Sequence, residues 1–280
     1  DEESEYLKAL YRDTHVKLLR PRMASGHLQG RLLKMLVRMI RPRRILEIGT
    51  YSGYSALCMA EGLEPDGRLY TFEINDEQED FTRPWIENSP YASQIEFIIG
   101  DALKRVPEMG LTFDMAFVDG DKRRYTDYYE MILPRLEPGG YILADNTLWD
   151  GHVLEPPPHK DAQTRGIMDF NNRIAADSRV EKVILPLRDG LTLIRKKYGN
   201  NQTKQNLPAD TKGTQRDFHA ANQGDERSIG FGKCLPHQSG PQHLPRVPEH
   251  ISEPAKRRNR EKYKWQHESH PLRTGDTGTP

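Results

Sequence analysis

Apolar positions recur along the first two thirds of the chain with two alternating periods. Tyr6 to Leu19 has the spacing of an amphipathic helix, ended by Arg20-Pro21. Leu32, Leu33, Leu36, Val37 and Ile40 repeat it in a second helix from about Leu28, closed by Pro42. From Arg44 the pattern changes to short apolar runs. Arg44–Ile48, Arg68–Glu73, Gln94–Ile99, Phe113–Val118 and Tyr141–Ala144 read as strands. Helices are predicted between them, through Ala60 and over Asp76–Asn88, Ala102–Glu108 and Arg123–Leu133. A helix over Gln163–Asp177 and two strands, Lys182–Pro186 and Leu191–Arg195, close the series, with Arg188-Asp189-Gly190 as a hairpin-like turn. Strands alternating with helices predict an α/β fold. It is a mostly parallel seven-stranded sheet, with helices on both faces and one antiparallel strand near the C-terminal edge. No internal repeat is present.

The periodicity stops after Tyr198. Residues 199–280 hold only seven Leu, Ile or Val against eight Pro, eight Gly and six of the ten His. Such a segment cannot bury enough apolar surface to offset its backbone entropy, so a disordered polar tail is expected there. The globular domain is then 1–198. Charge divides at the same place: 28 Lys and Arg against 32 Asp and Glu before Gly199, and 13 against 9 after it. A net charge of zero gives no general attraction to nucleic acid or membrane. The basic run Lys256–Lys264 with Trp265 reads as solvated charge. No run approaches the roughly 18 apolar residues of a membrane span. Two cysteines, Cys58 and Cys234, suggest no disulfide framework and a reducing cytoplasm. The acidic start is not a signal peptide, and the absence of an initial Met suggests that residues precede Asp1.

The segment ILEIGTYSGYSAL is strand, glycine turn and helix start, an arrangement that lets backbone N–H groups approach a ligand. Its spacing, Gly49-x-x-x-Gly53, is neither the G-x-G-x-x-G of NAD enzymes nor a phosphate loop, which needs G-K-[ST]. Glu73 ends the second strand, where a carboxylate accepts hydrogen bonds from ribose hydroxyls; that alone fits NAD or S-adenosylmethionine (SAM). Asp101 and Ala102 follow strand three, beside an adenine edge, although Asp101 equally suits a helix N-cap.

Two further strand ends carry hard oxygen donors: Asp119-Gly120-Asp121-Lys122 after strand four and Asp145-Asn146 after strand five. Neighbouring strands lie about 4.8 Å apart, so Asp119, Asp145 and Asn146 can converge. Two carboxylates and an amide oxygen suit Mg²⁺ or a similar cation, with Mn²⁺ or Ca²⁺ as alternatives. Taken singly, each residue is as readily a cap or turn former.

LEIGTYSGYSAL, FVDGDKRRY and LADNTLW, in this order, together with MASGHLQGRLL, resemble the cation-dependent O-methyltransferases of the catechol and caffeoyl-CoA type. The resemblance spans Tyr6 to Lys197 and implies a Rossmann-like class I methyltransferase fold. It implies that Asp119, Asp145 and Asn146 hold the metal and that Lys122 is the general base. Glu73 would hold the ribose, Gly49, Tyr51 and Ser55 would lie along the methionine part of SAM, and Glu47 would also be cofactor-binding. Met23 and Ser25 would close over the cofactor. Asp101 and Ala102 would meet the adenine, and Asp119 and Asp121 would also contact SAM. Lys122, Asn146 and Trp149 would face a small aromatic acceptor. Some catechol enzymes add a Glu to the acceptor site near the domain's end; none is matched around Arg188-Asp189-Gly190. The loop Asp150 to Lys160, with Pro156-Pro157-Pro158, would select the acceptor. A homodimer is expected from the family.

The implied reaction is metal-dependent methyl transfer from SAM to an acceptor hydroxyl, with Lys122 taking the proton. The alternatives are a non-catalytic SAM-binding or scaffold protein of the same fold, and an NAD oxidoreductase, which lacks its glycine signature. Cys58, beside Leu57 and Met59, reads as core, and Tyr125, Tyr128 and Tyr129 as packing. His27 and His152 flank the expected site.

Overall fold

The computed structural model describes residues 2–155 and 161–199, all within one compact unit. The predicted tail, and Pro156-Pro157-Pro158 with the rest of 156–160, lie outside the described residues.

Seven strands form one sheet in the order β3-β2-β1-β4-β5-β7-β6. They are β1 (Arg44–Ile48), β2 (Arg68–Glu73), β3 (Ile95–Ile99), β4 (Phe113–Val118), β5 (Leu136–Ala144), β6 (Val180–Leu185) and β7 (Leu191–Lys196). The first five are parallel to one another. β7 inserts antiparallel between β5 and β6, so it alone of the seven runs against the rest. The expected single antiparallel strand is therefore β7, one place in from the edge.

Alternation along the strands divides the core. Leu46, Ile48, Ala116, Val118, Ile142 and Ala144 point to one face. They pack there against α6 (Tyr125–Ile132) and α7 (Ala162–Ala176) through Tyr125, Tyr129, Ile132, Ile167 and Phe170. Ile45, Met115, Phe117 and Leu143 point to the other face, against α2 (Gly26–Ile40) and α3 (Tyr54–Ala60) through Leu33, Val37, Ala56 and Met59. α1 (Glu5–Lys17) covers the outer side of α3 with Leu7 and Leu10. The remaining helices are α4 (Glu79–Glu87) and α5 (Ala102–Glu108).

Local chemistry sets the helix ends. The side chains of Ser4, Asp101 and Asp161 accept the backbone N–H of Leu7, Leu103 and Thr164, capping α1, α5 and α7. Arg41 ends α2 in the left-handed region, at φ 53°, just before Pro42. One expectation needs correction. β5 begins at Leu136 rather than Tyr141, because Pro138-Gly139-Gly140 reads as a turn but is absorbed as a bulge. Phe113 pairs with Leu136 and Met115 with Tyr141.

α7 crosses close to the loop after β4, and Gly166 permits it. A Cβ there would stand 2.4 Å from the Lys122 carbonyl oxygen and 2.7 Å from Arg123 Cα. Helix propensity alone predicts that Gly166→Ala stabilises by about 1 kcal/mol. The clash is with backbone, which cannot swing aside, and overpacking of that kind costs about 1–3 kcal/mol. A lowered urea midpoint is expected for Gly166→Ala; a raised one would show that α7 does not pack this tightly.

Candidate active site

The strand order reverses direction at β1 and β4, and the site lies beyond the carboxyl ends of these strands, as open α/β sheets favour. Hydrogen bonds continue past the strand ends and hold the loops in line. Gly49 N–H donates to Phe72 O (2.9 Å), Asp119 N–H to Ile48 O (2.9 Å) and Asp145 N–H to Val118 O (3.0 Å). Gly49 has φ 101°, and a Cβ there would lie 2.4 Å from Asp119 O, so only glycine lets the first turn meet the fourth strand's loop.

A cavity of about 990 Å³ opens over these ends. Of the sequence-predicted residues, Met23, Gly49, Tyr51, Glu73, Asp101, Ala102, Asp119, Asp121, Lys122, Asp145, Asn146 and Trp149 line it. Glu47, Ser25 and Ser55 stand behind its wall. Glu47 is fully buried under the glycine turn, accepting from Ser55 Oγ and Thr71 Oγ1, both at 2.5 Å. Burial, opposed by those two hydroxyls, pushes its carboxyl up to about 8. Ser25 turns its carbonyl to the Arg188 guanidinium. His27 does not line the cavity and lies 3.7 Å from Glu3 Oε2.

On the β2 side, the Glu73 carboxylate is held by two backbone donors, Tyr51 N–H on Oε2 (2.8 Å) and Asn75 N–H on Oε1 (2.9 Å). Each oxygen keeps a lone pair for a ligand hydroxyl. Asp101 takes both of its sequence readings: it caps α5 and lines the cavity, and its second oxygen accepts from Arg124 Nη1 at 3.2 Å. Asp121 is bound by the Arg123 guanidinium, which holds its carboxyl below the usual range.

On the β4–β5 side, the Lys122 amino group donates to Asp119 Oδ1 and to Tyr125 Oη, both at 2.6 Å. The Tyr125 hydroxyl lies 3.1 Å from Val118 O, the last carbonyl of β4, and 3.0 Å from Asp145 O, just past the end of β5. Asp145 is 3% exposed. Burial first, and the charge of Asp119 second, push its carboxyl up to about 6. Two donors oppose this: Asn146 N–H on Oδ1 (2.9 Å) and Gln29 Nε2 on Oδ2 (2.7 Å). Asn146 has φ 59°, a left-handed turn that brings its N–H back to the preceding side chain.

Sequence reasoning missed four members of this site. Tyr125 reads as packing and does pack, but its hydroxyl also meets Lys122. Gln29 lies on a helix face that reads as polar filler, 116 positions from Asp145. Arg188 and Asp189 read as turn residues, yet both line the cavity, and Asn146 Nδ2 lies 3.4 Å from Asp189 Oδ2. Only three-dimensional proximity reveals these. Cys58 is the core residue expected, with a thiol that burial pushes up to about 12.

The O-methyltransferase family model matches residues 1–197. Tricin synthase 1 of Oryza sativa subsp. japonica is 36% identical over 188 residues, 62% of this chain and 75% of that protein. The caffeoyl-CoA O-methyltransferase of Pinus taeda is 37% identical over 190 residues, 63% and 72%. Among solved structures, the O-methyltransferase TomG from Streptomyces achromogenes, in complex with SAM, matches at TM-score 0.66. It shows 32% identity over 70% of this chain and 92% of its own. The SAH-bound O-methyltransferase from Bacillus cereus also scores 0.66, with 30% identity over the same shares. With the fold and the cavity above, these place the chain in the SAM-dependent O-methyltransferase family of the caffeoyl-CoA type.

The buried Glu47 gives a pH test of the cavity's foundation. Its folded value lies near 8 against a usual 4.5. Between these values the unfolded chain releases the proton and the folded chain keeps it. The contribution to stability is therefore full below about pH 4.5 and is lost as pH rises toward 8. Glu47→Gln is expected to remove that decline, measured as the difference in urea stability between variant and parent from pH 5 to 8. Parallel curves would contradict the buried carboxyl.

Proposed function

We propose that this enzyme moves the SAM methyl group to a hydroxyl of a small aromatic acceptor, catechol-like or hydroxycinnamoyl, with a divalent cation held by Asp119, Asp145 and Asn146. The observation that carries this reading is the pair of carboxylates on adjacent strand ends, with the Lys122 amino group on one of them. The donor set fits a hard cation: two carboxylates, an amide, and room for water. Among the described residues no three His, Cys, Asp or Glu converge as a metal cluster, and the Asn146 amide would have to serve as the third protein ligand. Burial first, and the Asp119 charge second, raise the Asp145 carboxyl, so a cation beside the pair would favour its ionised form. Mg²⁺ fits first, with Mn²⁺ and Ca²⁺ as alternatives.

Asp119, Asp145 and Asn146 would hold the cation, which when bound would supply Lewis-acid stabilisation of the ionised acceptor oxygen and offset the Asp119 charge beside Lys122. Lys122 then accepts the acceptor's hydroxyl proton, 2.6 Å from the Tyr125 hydroxyl that keeps it in place. Glu73 holds the ribose hydroxyls, Gly49 and Tyr51 run beside the methionine portion, and Asp101 and Ala102 border the adenine. Asp119 and Asp121 balance the sulfonium charge. Met23 and Ser25 belong to the segment that covers the cofactor. Glu47 and Ser55 act from behind, through the shape of the turn. Trp149 and Asn146 border the acceptor, and much of the rate comes from holding oxygen and methyl in line. A catalytic amine on a carboxylate in the cavity weighs against a non-catalytic SAM-binding role.

Along α2, Leu28, Leu32, Met35 and Met39 follow helical spacing, and Leu28, Met35 and Met39 are 66%, 50% and 72% exposed. This stripe supports a homodimer. Among the described residues no helix is long and apolar enough to cross a membrane. With Cys58 a free thiol, we place the enzyme in the cytoplasm.

A methyl-transfer assay over catechols, hydroxycinnamoyl-CoA esters and flavonoids tests the reaction. Lys122→Ala is expected to lower kcat by about 10²–10⁴-fold and leave SAM affinity nearly unchanged. Equal losses in both would remove Lys122 from the base role. Met35→Lys with Met39→Lys is expected to shift the mass in light scattering from two chains to one; an unchanged mass would place any dimer elsewhere.

A further inference from the structure

Gln29 is fully buried, and neither the fold nor the proposed chemistry explains why a polar side chain should be there. Its neighbours do. Gln29 Nε2 donates to Asp145 Oδ2 at 2.7 Å, and Gln29 Oε1 accepts from Arg188 Nη1 at 3.0 Å. A guanidinium only donates and a carboxylate only accepts, so just one orientation of the amide satisfies both partners. Arg188 therefore decides which end of Gln29 faces Asp145. Arg188 is itself fixed from several directions. It donates to the carbonyls of Arg22 (3.4 Å), Ala24 (3.3 Å) and Ser25, from a turn residue in the left-handed region at φ 49°.

The last torsion of an aspartate is soft, so a carboxylate on a strand end does not hold its plane unaided. Asp145 is held at both oxygens, by Asn146 N–H on Oδ1 and Gln29 on Oδ2. The first contact is local and follows from the turn. The second comes from α2, on the opposite side of the cavity wall, and depends on the β6–β7 turn.

We propose that Gln29 is a positioning residue for the cation, and that Arg188–Gln29–Asp145 is a relay that sets the plane of the Asp145 carboxylate. It rests on the reading of Asp145 as a cation ligand. The relay ties the ligand to the segment carrying Met23 and Ser25, so ordering of that segment and readiness of the metal site become one event. Partners that orient a ligating group in this way typically contribute about 10–100-fold to metal affinity.

The test is calorimetric titration of the full chain with Mg²⁺, with SAM affinity measured separately in its absence. Gln29→Met keeps the volume and removes both hydrogen bonds. It is expected to weaken Mg²⁺ binding about tenfold or more while SAM affinity stays within about twofold. Arg188→Met, on the exposed turn, leaves the core intact and is expected to weaken Mg²⁺ binding as well. Its effect on Mg²⁺ should vanish in the Gln29→Met background, because the relay passes through Gln29. Unchanged Mg²⁺ affinity in Gln29→Met, or losses that simply add in the double variant, would overturn the relay alone. A parent protein that takes up no Mg²⁺ would overturn the metal reading, and the relay with it.

Discussion

The organising constraint is the placing of two carboxylates, Asp119 and Asp145, on the ends of adjacent parallel strands with little water around one of them. Left alone, each would oppose the ionisation of the other. The surroundings answer with positive charge and N–H groups: the Lys122 ammonium on Asp119, and Asn146 N–H with Gln29 on Asp145. These donors come from three separate elements, so the cluster depends on the fold as a whole. The parallel pairing of β4 with β5 brings the carboxylates together. The close approach at Gly166 brings α7 against the Lys122 loop, and the hydroxyl of Tyr125 spans the two strand ends. Under the proposed function, this carboxylate pair is where the cation would be held.

The cofactor side obeys a different logic. Glu73 is presented to the cavity, but its plane is fixed by two backbone N–H groups before any ligand arrives. Glu47 lies deeper and serves the turn above it, held by hydroxyls from β2 and α3. The two acids, two register positions apart because Glu47 pairs with Thr71, differ because one keeps free lone pairs at the cavity and the other spends its lone pairs inside the wall. The cavity therefore has an acid at the end of β2 and an acidic pair at the ends of β4 and β5, joined by the Gly49 turn that packs on Asp119.

Much of this is legible in the sequence because its signals are local. The strand limits at Arg44–Ile48, Arg68–Glu73 and Phe113–Val118 follow from apolar runs bounded by turn formers, and the acidic residues that end them fall where such sheets bind ligands. β5 is the exception, since Pro138-Gly139-Gly140 carries a turn signal that a bulge satisfies equally well. Within the site, the family resemblance puts Glu47 and Ser55 at the cofactor. Which way a strand residue points relative to a cavity depends on the pleat, and here it turns Glu47 inward. Gln29, Arg188 and Tyr125 carry no local signal at all. Their partners lie on other elements, and helix position or turn type explains each of them without reference to the site.

The central claim is that the Asp119–Asp145 pair acts by holding a cation during methyl transfer. The most direct measurement is the initial rate of transfer from SAM to a 3,4-dihydroxyphenyl acceptor in EDTA, followed by back-titration with Mg²⁺. The expected result is a rate at background in EDTA that returns along a single saturable curve as free Mg²⁺ rises. A full rate in EDTA would contradict it.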